Sequence, residues 1–144
     1  MVSTGRLVQT LGGKGLLRER PATYAAVIAR ARAGLPYATL EAIATRFAIP
    51  QDVLVHVLHL PPRTLARRKK SGRLSPDESD RLLRLARVVA RAAEVLGSEK
   101  RAGAWLRGPV RALGGVRPLD LLDTDLGAQQ VEQVLGRIEH GVYS

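Results

Sequence analysis

Between Ser75 and Gly97 the sequence writes out one complete helix. Ser75 can cap its start, Pro76 suits the first helical position, and Glu78 completes a capping box. Leu82, Leu85, Ala86, Val89, Ala93 and Leu96 then fall on one stripe, and Gly97 stops the run. No alternating β-branched run competes with this pattern anywhere in the chain. Its apolar content is carried by Leu, Ala and Val, with aromatic residues at only 3%. The predicted class is therefore all-α.

Proline and glycine divide the remainder into shorter helices. Pro21 suits the first turn of a helix running to about Ala33, closed by Gly34 and Pro36. A second is predicted over about Ala38–Phe47, with Leu40, Ile43, Ala44 and Phe47 on one stripe, ended by Ile49-Pro50. A third follows over about Gln51–Leu60, with Asp52 suiting the positive end of its dipole. After Pro61-Pro62, a fourth is predicted over Arg63–Lys70. These last two, with their tight connection, form a helix-turn-helix pattern. Beyond Gly97, Ser98 can cap a helix carrying Trp105 and Leu106. A Gly/Pro-rich stretch with Gly108-Pro109, Gly114-Gly115 and Pro118 comes next. Asp123 or Thr124 opens a last helix with Val131, Val134, Leu135 and Ile138 on one face, and Gly141 closes it. Residues 1–20, with Gly5, Gly12, Gly13 and Gly15 and no sustained periodicity, are read as a mobile basic arm or an extended lead-in. The predicted boundary between the two halves is the Ser71–Ser75 turn.

The charge is segregated across that boundary. Residues 1–74 hold 13 Lys and Arg against Glu19, Glu41 and Asp52, whereas residues 75–144 hold 10 of each sign. The whole net charge of +10 thus lies in the first half. A field focused on one end of a molecule is what a polyanion-binding surface requires.

Several classes are disfavoured. With no cysteine, the chain has no disulfide, zinc ribbon or thiolate chemistry, which fits a reducing cytoplasm. At 144 residues it should bury roughly 70% of its unfolded surface without such staples. The apolar run Tyr24–Ala29 is too short for a membrane span and is closed by Arg30 and Arg32. His56 and His59 have a spacing compatible with metal binding, but no third ligand accompanies them, so they are read as core-edge or surface residues. Asp123 and Asp125 fall at a helix start, where capping and the dipole account for them. With no phosphate loop and no nucleophile–base pair, an enzyme is not expected, and neither a cofactor nor a metal is called for.

The helix after Pro62 has a definable face. At roughly 100° per residue, Arg67 and Lys70 fall within about 40° of Arg63, while Leu65 points to the opposite side. An apolar back, a donor-rich front and the small flanks Thr64 and Ala66 suit entry into a major groove. Arg68, Lys69 and Arg73 would lie nearer phosphates. RNA is disfavoured by the scarcity of aromatic stacking platforms.

Three segments in register carry a resemblance to a known family. They are Leu74-Ser75-Pro76-Asp77-Glu78-Ser79-Asp80-Arg81-Leu82; Ala104-Trp105-Leu106-Arg107-Gly108-Pro109 with Leu113-Gly114-Gly115 and Pro118-Leu119-Asp120-Leu121-Leu122; and Gly127 followed by Val131, Leu135, Ile138 and Gly141. Over about residues 50–144 the chain resembles the Xre/MbcA/ParS antitoxins, partners of RES-domain toxins. Arg63-Thr64-Leu65-Ala66-Arg67-Arg68 resembles that family's second helix-turn-helix element. His59 departs from the pattern, standing where many related units carry glycine.

The resemblance implies a helical homodimer with a DNA-binding N-terminal part and a toxin-binding C-terminal part, in a cytoplasmic protein. The predicted boundary divides these into a helix-turn-helix region over 21–74 and a dimerisation and toxin-binding domain over 75–144. It also implies an NAD-consuming toxin whose active site the antitoxin's C-terminal end covers or enters, and an operon autoregulated through operator DNA. Trp105, Leu106, Gly108 and Pro109 belong to the shared toxin-binding domain. His140, Gly141, Val142 and Tyr143, with Ser144 after them, match its C-terminal end. On the residues alone, Trp105 is first a packing element, and Gly136 either permits close packing or is simply tolerated. A different reading of the same residues is a stand-alone regulator or nucleoid-associated DNA binder whose C-terminal third serves only dimerisation.

Overall fold

The computed structural model describes residues 2–12 and 23–141. Those residues form eight α-helices: α1 (Thr4–Thr10), α2 (Tyr24–Ala33), α3 (Tyr37–Arg46), α4 (Gln51–Leu58), α5 (Pro62–Ser71), α6 (Pro76–Leu96), α7 (Glu99–Arg107) and α8 (Asp125–Glu139). Two 3₁₀ turns, Arg111–Leu113 and Pro118–Leu121, link α7 to α8. Among the described residues the only extended pairing is a single antiparallel bridge between Pro36 and Arg73. The all-α expectation holds.

α6 is the axis of the molecule, as its sequence demands. At 21 residues it spans about 31 Å. Its predicted capping box is formed, with the Ser75 hydroxyl accepting from the Glu78 N–H while the Glu78 carboxylate accepts from the Ser75 N–H. Leu82, Leu85, Ala86 and Val89 are fully buried, and so are Val88, Ala90 and Ala92. A helix buried around this much of its circumference needs neighbours on several sides. α1, α2, α4, α7 and α8 all pack against it.

That arrangement corrects two expectations. Residues 2–12 are not a mobile arm: α1 is capped by Ser3, and Leu7 and Val8 within it, with Val2 and Leu11 on either side, are buried in the main core. Periodicity over seven residues is too brief to stand out from the glycines around it. Residues 13–20 of that expectation lie outside the described residues. The Ser71–Ser75 turn, for its part, does not separate two cores. Leu35, Leu74, Leu82 and Leu106 belong to one continuous cluster, and the Leu35 N–H donates to the buried Ser79 hydroxyl at 2.8 Å.

The last carbonyls of a helix have no partner within it and carry the negative end of its dipole. Arginines from distant elements fill that role here. Arg46 donates to Gln9 and Thr10 at the end of α1, at 2.8 and 2.9 Å. Arg73 donates to Ala33 and Gly34 at the end of α2, and Arg81 to Leu58 at the end of α4. Arg107 donates to Phe47 and Ala48 after α3, at 2.5 and 3.3 Å. Much of the arginine content is therefore structural.

Among the described residues, two other than glycine have left-handed backbone, Ala48 and His59, both with φ of 53°. Each ends a helix where glycine would be free of the penalty, about 1 kcal/mol for an L side chain.

Candidate functional site

α5 presents the basic face. Pro62 opens it and Gly72, with φ of 81°, closes it. Leu65 is buried, anchoring the helix as its position opposite Arg63 predicted. Arg63, Arg67, Lys69 and Lys70 are exposed, and Thr64 flanks them half-buried. Basic residues crowd the last turn, where the dipole favours them. The structure thus brings together four of the expected cations along one exposed helix.

Arg68 does not join that surface. Arg68 forms a fork with Glu78, Nε to Oε1 at 2.8 Å and the second nitrogen to Oε2 at 3.1 Å. The Glu78 side chain is only 8% exposed, so the pair is largely shielded from solvent. Burial alone pushes the Glu78 carboxyl up, but the Arg68 fork and the Ser75 N–H outweigh it, leaving its pKa below the usual glutamate range. The same fork raises the Arg68 guanidinium. Arg73 is exposed and donates through one guanidinium nitrogen to the Ala33 carbonyl at the end of α2 at 3.2 Å. Arg68, expected at a phosphate, instead joins α5 to α6, whereas Arg73 stays exposed while tying the end of α2 to the turn before α6. Only the three-dimensional approach of α5 to α6 reveals the fork, since the capping box already accounted for Glu78.

The second group of expected contacts is divided by burial. Leu106 is fully buried and packs in the core, so its side chain offers nothing to a partner. Trp105 is half-buried, packed against that core but still reachable, and Pro109 is exposed after Gly108 ends α7. Its role as a packing element is therefore seen, with one side left over. His140 and Gly141 are exposed at the end of α8. Val142, Tyr143 and Ser144 lie outside the described residues.

α8 carries a face that nothing in the described chain covers. Leu126 is 70% exposed, and Gln129, Gln133 and His140 lie on the same side. A Cβ at Gly136 would meet nothing within 4 Å, so this glycine is not required by packing within the chain. The opposite face buries Ala128, Val131, Val134 and Leu135. Arg91 on α6 clasps Glu139 with two bonds of 2.8 and 2.7 Å and holds the end of α8 in place.

Residues that sequence reasoning gave no function lie between the two groups. His59 at the α4–α5 turn reaches the Asp123 carbonyl just before α8 at 2.9 Å. His56 lies 3.5 Å from the Asp123 carboxylate and 3.4 Å from the Asp120 carbonyl. The two histidines face the C-terminal segment rather than one another. No group of three or more potential ligands among the described residues could hold a metal ion. No helix among them is long and apolar enough to cross a membrane.

Comparison with known proteins divides the chain in the same order. Residues 26–87 match the model of the antitoxin Xre-like helix-turn-helix domain, and residues 91–141 match the antitoxin Xre/MbcA/ParS C-terminal toxin-binding domain. The two matches meet inside α6, not at the Ser71–Ser75 turn. The antitoxin Xre of Yersinia enterocolitica is 35% identical over 113 residues, covering 77% of this chain and 76% of that protein. The antitoxin Xre of Pseudomonas putida is 40% identical over 83 residues, 57% of this chain and 52% of its own. A protein of Sphingobium named Prs ADP-ribosylating antitoxin is 29% identical across 91% of this chain and 87% of its own. With both domains present in order on one continuous helical core, the chain belongs to the Xre family of antitoxins, with a helix-turn-helix domain followed by a toxin-binding domain.

Proposed function

We propose that this antitoxin neutralises a RES-domain, NAD-consuming toxin by covering its active site, and that it represses its own operon as a dimer through α5. The observation that carries the first half is the exposed surface within the toxin-binding domain: Trp105 and Pro109 at one end, and the uncovered face of α8 leading to His140 at the other. Gly108 and Gly141 bracket that surface at turns. In this reading, the chain end from His140 through Val142, Tyr143 and Ser144 is the element inserted into the toxin. The name of the Sphingobium relative refers to ADP-ribosylation, a reaction whose donor is NAD, and this agrees with an NAD-consuming partner.

On the DNA side, Arg67 and its neighbours Arg63 and Lys70 would read base edges, with Thr64 alongside and Lys69 on phosphate. The protein itself then performs no reaction: its inhibition is steric, and it works in the cytoplasm where toxin and operator both are. Co-expressing the chain with the toxin from the neighbouring gene while following cellular NAD tests this directly. Restored NAD is expected, and restoration should fail when residues 142–144 are removed while operator binding persists. NAD that stays depleted with the intact chain rejects the toxin assignment, and full restoration by the shortened chain rejects insertion of the end.

A further inference from the structure

Ala48 and His59, the two left-handed residues other than glycine among those described, flank α4, the first helix of the helix-turn-helix, and both are gripped by the toxin-binding domain. Ahead of α4, the Ala48 and Phe47 carbonyls accept from Arg107 on α7. The approach is tight there: a Cβ on Gly103 would lie 2.6 Å from the Phe47 carbonyl oxygen, so α7 reaches this point only because residue 103 lacks one. Behind α4, the His59 ring donates through Nε2 to the Asp123 carbonyl, which also accepts from Arg84 at 3.3 Å. Since a carbonyl only accepts, the proton must sit on that nitrogen.

His59 is the informative member of this pair. Glycine would satisfy the turn at lower backbone cost. A side chain kept at such a position, with its ring bonded 64 residues away in sequence, points to a job beyond the turn. The segment it bonds starts α8, where the Gly127 N–H and Thr124 cap are formed.

We infer that His59 and Arg107 are positioning residues through which the toxin-binding domain clamps both ends of α4 and so sets how α5 is presented to DNA. The inference rests on the reading of α5 as the DNA-contacting helix. It makes the toxin-binding domain a working part of the DNA-reading unit rather than an appendage joined through α6.

The test uses the full chain and a labelled duplex of its own promoter region, comparing wild type with His59→Gly and with Arg107→Met, which keeps an aliphatic stem. His59→Gly removes the clamp while easing the backbone, so the thermal midpoint should hold or rise as duplex affinity falls at least tenfold. Arg107→Met should act in the same direction. An affinity of His59→Gly within twofold of wild type overturns the inference, because the presentation of α5 would then survive loss of the ring contact. Loss in His59→Gly with Arg107→Met unchanged also overturns it, since added glycine freedom in the turn would then account for the loss. Should the wild-type chain not bind the duplex, the reading of α5 fails, and amide exchange then judges the clamp. The Leu60 amide, bonded to the Val55 carbonyl, and the amides of α5 should exchange at least tenfold faster in His59→Gly. Equal or slower exchange overturns it.

Discussion

Arg68 in the last turn of α5 holds both carboxylate oxygens of Glu78 in the first turn of α6, and one of those oxygens also accepts the Ser75 N–H at 2.8 Å. A single carboxylate therefore caps the central helix and fixes the basic helix against it. Removing Glu78 leaves both a helix start and a half-buried guanidinium unpaired.

Glu78→Ala should accordingly destabilise the fold by about 2–3 kcal/mol, with Glu78→Gln costing less because an amide still completes a capping box. The pH dependence has a defined sign. With the folded-state pKa held below the unfolded one, the stabilisation is complete above the unfolded value and is lost as pH falls through the folded one, so it fades below about pH 5. Urea unfolding of wild type and Glu78→Gln across pH 3–7, as a rough range, should show the two curves converging at the acid end.

Arg67 and Arg73 should separate two uses of the same side chain. Arg67→Ala is expected to weaken operator binding by about 1–3 kcal/mol with unfolding unchanged, since it is exposed and bonded to nothing described. Arg73→Ala removes the donor to the end of α2 and should lower stability by roughly 0.5–1.5 kcal/mol. Binding titrations at several salt concentrations, set beside thermal unfolding, distinguish them. A loss for Arg67→Ala that is equal on all sequences and lowers the salt slope would place that residue on phosphate.

α1 can be weighed by one truncation. Leu11 is fully buried in the main core, so Leu11→Ala should cost about 2–5 kcal/mol. A mobile arm would tolerate the change without effect. Denaturant midpoints decide between the two.

Gly127 and Gly136 share a helix and should respond in opposite directions. A Cβ at 127 would fall 1.9 Å from the Leu121 carbonyl oxygen, so Gly127→Ala forces the start of α8 away from the preceding 3₁₀ turn and lowers stability. At 136 the space is open, and Gly136→Ala should raise stability by up to about 1 kcal/mol through helix propensity. Calorimetric midpoints of the two variants should move to either side of wild type. Weaker toxin neutralisation by the more stable Gly136→Ala would mark that glycine as a contact point on α8.

Much of this molecule was written locally. The α6 capping box, the stops at Gly72 and Gly97, the caps Ser98 and Thr124 and the buried back of α5 at Leu65 all depend on residues within a few positions of one another. Such interactions are set by helix geometry, and periodicity with proline and glycine punctuation exposes them. The tertiary structure decided what distance in sequence conceals. Charge counting placed Arg68 with the exposed cations, because net charge does not reveal that Glu78 had claimed it. Leu106 and Trp105 are neighbours in one motif, yet one is core and the other half-open, according to which side of α7 meets α6. The central basic face was already in the residues. Which of its members are left for a partner follows from the long-range bonds of the folded chain, where each arginine's choice of carboxylate or helix end is made by proximity.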